Sequence, residues 1–213
     1  MDSIKRVFFG CLFILIFFIS SVRLAAQDWI ESRDQWVELR PEDGWLLDLK
    51  YATEDNFVGH VIYDCARCFL RPDAASALTR INAELNAQGY QIKLFDCYRP
   101  LAVQWELWEE VPNPQYVADP RKGSMHNRGQ AVDVTLVDME SGKALEMGTD
   151  FDFFGERAYH STTPELSSEI RKNRKLLKST MEKHGFLPIR TEWWHYSYRA
   201  SHWPVFEDKW NCE

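Results

Sequence analysis

Two stretches far apart in the chain carry side chains that any fold must reconcile: Ser124-Met125-His126-Asn127-Arg128-Gly129-Gln130-Ala131-Val132-Asp133 and Thr191-Glu192-Trp193-Trp194-His195-Tyr196. A hydrolytic zinc site takes three protein ligands from imidazole and carboxylate and keeps a fourth position for water. The first stretch offers two such ligands. If the chain reverses at Gly129, His126 and Asp133 fall on facing strands, and alternation sets the small Ala131 on the same face as Asp133. The second stretch adds His195 together with a carboxylate, Glu192, that can serve as a base. The two indoles between them would exclude water and strengthen local electrostatics. Taken singly, each stretch has a plainer reading, a structural histidine beside a glycine turn and an ordinary aromatic strand. Together they supply a full ligand set, His126, Asp133 and His195, plus a base, and so predict that the two stretches meet.

The rest of the chain is compatible with one domain. At 213 residues it is long enough for a sizeable core, and 14% aromatic content with nine tryptophans excludes a disordered chain. The N-terminus reads as a secretory signal peptide over residues 1–26: Lys5 and Arg6 precede an apolar run from Val7 to Ile19, followed by Leu24-Ala25-Ala26. That run of about 13 residues is short of the roughly 20 that cross a bilayer, which favours cleavage over a retained anchor. A lipoprotein reading based on Cys11 fits poorly, because most of the apolar run follows that cysteine. The expected mature chain, 27–213, is exported to the periplasm without stable membrane insertion. Removing Lys5, Arg6 and Arg23 against Asp2, a net +2, takes the charge from −7 to −9. Such acidity argues against nucleic acid as a partner. Oligomeric state is not encoded in any recognisable pattern.

Four cysteines remain beyond residue 26: Cys65, Cys68, Cys97 and Cys212. In an oxidising compartment an even number favours disulfides, and Cys97 is expected to take part, with three pairings open. Cys65-x-x-Cys68 lacks the second pair of a zinc ribbon and the setting of a redox motif. Alternation predicts a strand from Trp45 to Tyr51 and a loop from Ala52 to Gly59. Helical spacing predicts a helix opened by Pro72 and closed at Gly89, then a buried strand from Gln91 to Cys97. A short helix over Leu101 to Glu110 stops at Val111-Pro112. The longest helix is expected to open at Thr163-Pro164 and run to about His184, ahead of a last strand from Thr191 to Tyr198. This mixture predicts an α+β domain, a small antiparallel sheet flanked by helices. His60, His160, His184 and His202 lack partners at ligand spacing, and the helix dipole is sufficient reason for His184.

The pattern Ser-x-His-x-x-x-x-x-x-Asp with an internal Gly-x-Ala, followed downstream by Glu-x-x-His, resembles the zinc D,D-peptidases. Tyr51 to Phe57, Asp96-Cys97-Tyr98-Arg99-Pro100, Met147 to Asp152 and Glu192-Trp193-Trp194-His195 are similar to the VanX-type D-alanyl-D-alanine dipeptidases over nearly the whole mature chain. Trp193 stands where carboxypeptidase relatives more often have proline. The resemblance implies a single domain of the Hedgehog/D,D-peptidase fold. It also implies one Zn2+ per chain on His126, Asp133 and His195, and hydrolysis of D-Ala-D-Ala with Glu192 as general base on a zinc-bound water. Arg99 would stabilise the oxyanion, and Ser124 and Asp152 would hold the two ends of the dipeptide. From the residues themselves, Tyr51 and the Trp193-Trp194 pair could wall the pocket, and ordinary core packing explains them equally well. The competing expectations are a D,D-carboxypeptidase acting on peptidoglycan stem peptides and a non-catalytic zinc-bearing binding module.

Overall fold

The structure, a computed structural model, describes residues 35–162, 165–210 and 212. The expected signal peptide therefore lies outside the described residues, as do Thr163 and Pro164. Val37–Glu213 forms one compact unit, whose architecture follows.

A five-stranded sheet organises the unit. Its strands are β2 (Leu46–Leu47), β4 (Tyr90–Asp96), β5 (Ala131–Asp138), β6 (Phe186–Ile189) and β7 (Glu192–Tyr198), in the order β2-β4-β5-β7-β6. β4, β5, β7 and β6 pair antiparallel, as the sequence predicts, but β2 lies parallel to β4 at the edge, so the sheet is mixed. β1 (Val37–Leu39) and β3 (Cys68–Leu70) form a separate antiparallel ribbon that sequence patterning did not reveal. The predicted strand over Trp45–Tyr51 shrinks to two residues. Local turn bonds take its backbone instead, Ala52 N–H donating to the Leu49 carbonyl and Thr53 N–H to that of Lys50, in a 3-10 turn over Lys50–Ala52.

Three α-helices flank the sheet among the described residues. α1 (Pro72–Asn86) starts with Pro72, whose fixed φ suits the first turn, and buries Ala74, Ala77, Leu78, Ile81 and Leu85. Gly89 follows it at φ 85°, a conformation that favours glycine. α2 is Leu101–Glu110, as predicted. α3 (Ser168–Lys183) opens later than expected, because the Ser167 hydroxyl accepts from Ile170 N–H and caps the helix there.

Alternation along β5 then divides the molecule. Val132, Val134 and Leu136 join Leu78 and Ile81 of α1 and Leu177 and Met181 of α3 in one core cluster. Asp133 and Ala131 point to the opposite face, away from these helices. That face carries the candidate site.

Candidate metal centre and active site

Three neighbouring strands set acidic and imidazole side chains in a row. Asp133 of β5 pairs directly with His195 of β7 on one side and with Asp96 of β4 on the other. The second pairing depends on a register shift between Leu94 and Asp96, which leaves Phe95 as an extra residue on β4. His126 enters from a 3-10 turn, His126–Arg128, closed by Gly129 at φ 67°. The expectation that His126 and Asp133 sit on facing strands is therefore corrected. The residues between them form a helical turn that leads into a single strand, and His126 reaches Asp133 from beyond the strand end.

The ligand atoms nevertheless converge. His126 Nε2 lies 3.1 Å from His195 Nδ1 and 3.4 Å from Asp133 Oδ2, while His195 Nδ1 lies 3.0 Å from Asp133 Oδ1. Donors held tetrahedrally around one zinc at about 2.0–2.2 Å stand roughly 3.4 Å apart, so the spacing fits. Tautomer logic fits as well. The far nitrogen of each ring has its own partner: His126 Nδ1 donates to the Cys97 carbonyl at 2.7 Å, and His195 Nε2 meets Ser197 Oγ at 3.0 Å. With those nitrogens protonated, two lone pairs and a carboxylate face one point, an arrangement that a cation stabilises. Burial disfavours charge on both Asp133 and His195. When their facing nitrogens carry protons, the charge and hydrogen bonds of His126 and His195 hold the Asp133 carboxyl well below its usual range, while burial lowers the His195 pKa and favours the neutral ring. Among the described residues these three form the metal-capable group of His, Cys, Asp and Glu side chains.

Glu192 and His195 differ in strand parity, yet both line one cavity of about 280 Å3. A second register shift explains this: β6 pairs Pro188 with Tyr196 but Ile189 with Glu192, so β7 bulges between them. Burial, then the charges of Asp133 and Asp152, raise the Glu192 carboxyl well above the ordinary range, against the pull of Arg99. The cavity gathers His126, Asp133, His195 and Glu192 with Arg99, Ser124, Asp152 and Tyr51.

Arg99 is buried, with Nε and Nη2 donating to Asp96 Oδ2 at 3.0 and 2.8 Å and Nη1 to Gln104 Oε1 at 3.0 Å. Burial is the strongest single influence and works against its charge, but Asp96, Tyr51, Tyr63 and Asp133 together outweigh it, with Asp133 Oδ2 3.7 Å away. The Arg99 guanidinium also lies over the Tyr51 ring. Tyr51 in turn donates to Asp152 Oδ2 at 2.9 Å. Asp152 takes a left-handed backbone conformation at φ 56°, a region costly for a residue with a side chain. Burial first, and Asp133 next, push its carboxyl well up. Ser124 and Asn127 exchange bonds, Ser124 N–H to Asn127 Oδ1 at 2.7 Å and Asn127 N–H to Ser124 Oγ at 3.2 Å.

Residues 42–212 match a family model described as D-ala-D-ala dipeptidase. The chain belongs to this family. Within the D-Ala-D-Ala dipeptidase family, the D-alanyl-D-alanine dipeptidase of Escherichia coli (strain K12) is 42% identical over 167 residues, covering 78% of this chain and 86% of that protein. The D-alanyl-D-alanine dipeptidase of Enterococcus faecium is 34% identical over 181 residues, covering 76% of this chain and 89% of its own. A solved structure of the vancomycin-resistance D,D-pentapeptidase VanY with Zn(II) aligns at TM-score 0.41 and 18% identity, over 62% of this chain and 73% of that one. Membership makes this chain a peptidase.

Several residues of this dipeptidase-family site escaped the sequence reading. Asp96, Gln104, Asn127 and Ser197 are buried polar groups that hold the others in place. Asn127 Nδ2 donates to the Arg99 carbonyl at 2.7 Å, and Gln104 Nε2 to that of Ala118 at 2.8 Å. Asp96 and Ser197 sit inside stretches already singled out, but their roles depend on strand register and have no spacing signature. Trp193 and Trp194 do not wall the cavity. Both belong to the main core, with Trp193 Nε1 donating to Thr149 Oγ1. His184 follows α3, as expected, and its Nε2 also meets Glu84 Oε2 at 2.8 Å.

Proposed function

We propose that this chain is a zinc-dependent D,D-dipeptidase that hydrolyses D-alanyl-D-alanine to two D-alanines, with one zinc on His126, Asp133 and His195. The observation that carries this reading is the convergence of three ligand atoms beside a half-buried carboxyl group, Glu192, and a buried cation, Arg99, in one cavity. The relatives' names supply the substrate. Zinc, when bound, supplies Lewis acidity toward water and a carbonyl oxygen.

Glu192 takes the proton of the attacking water and returns it to the leaving amine. Its raised pKa suits a group that must both accept and give up a proton. Arg99, pinned by Asp96 and Gln104, offers positive charge to the oxygen that becomes negative as the carbonyl is attacked. Asp152, beside the Tyr51 hydroxyl, meets the ammonium of the dipeptide, and that cation restores the carboxylate which burial disfavours. The Ser124 hydroxyl serves the carboxylate end.

Residues 1–26 would direct export, placing 27–213 in the periplasm as a single catalytic domain. Such a location suits recovery of wall-derived dipeptide. Hydrolysis of D-Ala-D-Ala, its L,L counterpart and a pentapeptide stem, each with and without chelator, tests the reading. Chelator-sensitive release of D-alanine from the D,D-dipeptide is expected. Cleavage of the stem in preference to the dipeptide would reassign the chain as a carboxypeptidase, and no hydrolysis of any of the three would favour a binding module.

A further inference from the structure

We propose that the Cys68–Cys97 disulfide is a positioning element of the metal centre, fixing the carbonyl that orients His126, so that zinc affinity depends on this bridge. The proposal rests on the reading of His126, Asp133 and His195 as zinc ligands.

Cys97 lies one residue beyond β4, where pairing with β5 has ended at Asp96 and Asp133. The sheet therefore no longer holds it. Each of its polar groups and its sulfur is nevertheless committed. Its N–H donates to Asp96 Oδ1 at 2.9 Å, its carbonyl accepts from His126 Nδ1 at 2.7 Å, and its sulfur joins Cys68. Cys68 is anchored in turn, paired with Leu39 in the β1–β3 ribbon, and the next residue's carbonyl, that of Phe69, accepts from Tyr98 N–H at 3.0 Å. Arg99 N–H then donates to the His126 carbonyl at 3.2 Å. The bridge thus ties the segment that bonds His126 through its backbone and carries Arg99 to a ribbon outside the main sheet.

The chemical consequence lies in the tautomer. A carbonyl at Nδ1 keeps the proton there and leaves Nε2 to face Asp133 and His195. Without the bridge, the carbonyl can drift and the ring loses its fixed orientation. Both sulfurs are buried, Cys68 at 0% and Cys97 at 1% exposure, so the effect does not come from solvent contact.

The test measures zinc dissociation constants by competition with a chromogenic chelator, under non-reducing conditions, with circular dichroism on the same samples. Wild type is compared with Cys68→Ala/Cys97→Ala, the better-filled Cys68→Val/Cys97→Ala, and Leu78→Ala as a variant destabilised from the helix side of the sheet. Bridge variants are expected to bind zinc about 10-fold more weakly, the lower end of what loss of an outer partner costs, since the carbonyl itself remains. Leu78→Ala should stay close to wild type in affinity while losing stability. A folded bridge variant with wild-type zinc affinity would overturn the proposal and leave the bridge purely structural. Wild type failing to bind zinc would instead overturn the ligand assignment on which it rests.

Discussion

Replacing Arg99 by alanine separates the structural role its contacts show from the catalytic role proposed for it. The guanidinium makes three hydrogen bonds, two to Asp96 and one to Gln104, and stands 3.7 Å from Asp133. Asp96 is fully buried, and after the substitution keeps the Tyr63 hydroxyl at 2.6 Å and the Cys97 N–H at 2.9 Å as donors, with His126 Nδ1 3.6 Å away. Breaking a buried ion pair from one side costs about 3–5 kcal/mol. For a chain of this size each kcal/mol moves Tm by about 2–4 °C, so a fall of roughly 6–20 °C is expected. The rate should suffer separately: removing one preorganised oxyanion donor lowers kcat by about 10²–10³. The assay is D-alanine release at a temperature well below the lowered Tm, with zinc content measured in parallel. Arg99→Lys keeps a charge but loses the planar fork, and should fall between the two. A folded, zinc-loaded Arg99→Ala enzyme with kcat within threefold of wild type would refute the catalytic role. An unchanged Tm would refute the importance of the Asp96 pair.

Glu192→Gln should retain zinc and lose about 10²–10⁴-fold in turnover, the usual worth of general acid–base catalysis; near-normal hydrolysis would remove Glu192 from the reaction. His160 gives a pH effect on folding. Burial, then Lys178 and Arg174, lower its pKa to about 4 from a reference of 6.5. The unfolded chain therefore takes up this proton first, and the stability present above pH 6.5 is lost as pH falls toward 4, with a slope of up to about 1.4 kcal/mol per unit. Urea titrations of His160→Gln should lack this slope, and an identical pH profile for both proteins would count against it. The Cys65–Cys212 bridge spans 147 residues, and chain entropy puts its contribution at up to about 5 kcal/mol. Cys65→Ala/Cys212→Ala should show a clearly lower urea midpoint, and an unchanged one would mean the bridge adds nothing.

Much of this architecture is legible from side-chain pattern. The apolar spacing from Ala74 to Leu85 and the limits of Leu101–Glu110 give two helices directly. The grouping of His126, Asp133 and His195 is legible because two separate stretches each join imidazole to carboxylate, and the structure brings the three together. The path of the chain between His126 and Asp133 was not legible, since a hairpin and a 3-10 turn both demand a residue such as Gly129 at positive φ. Strand bulges left no trace either. Nothing in Leu94-Phe95-Asp96 announces the extra residue that carries Asp96 to Asp133, because a bulge is set by neighbouring strands. Participation of Cys97 in a bridge was expected, but its partner depends on a ribbon, β1–β3, whose strands are too short to show alternation. The capping bond from Ile170 N–H to Ser167 fixed the start of the last helix beyond the point where proline statistics placed it.

The direct pairing of Asp133 with His195 ties chemistry to the correctness of folding. A slip of either strand by one residue would send its own side chain, Asp133 or His195, into the helix-covered interior and turn a valine of β5, or a tryptophan or tyrosine of β7, toward the cavity. Misaligned molecules would therefore be inert, with no graded loss of activity between them and the native form. On the proposed reading, specific activity at full zinc loading then reports the fraction of chains whose central strands have locked in the right alignment.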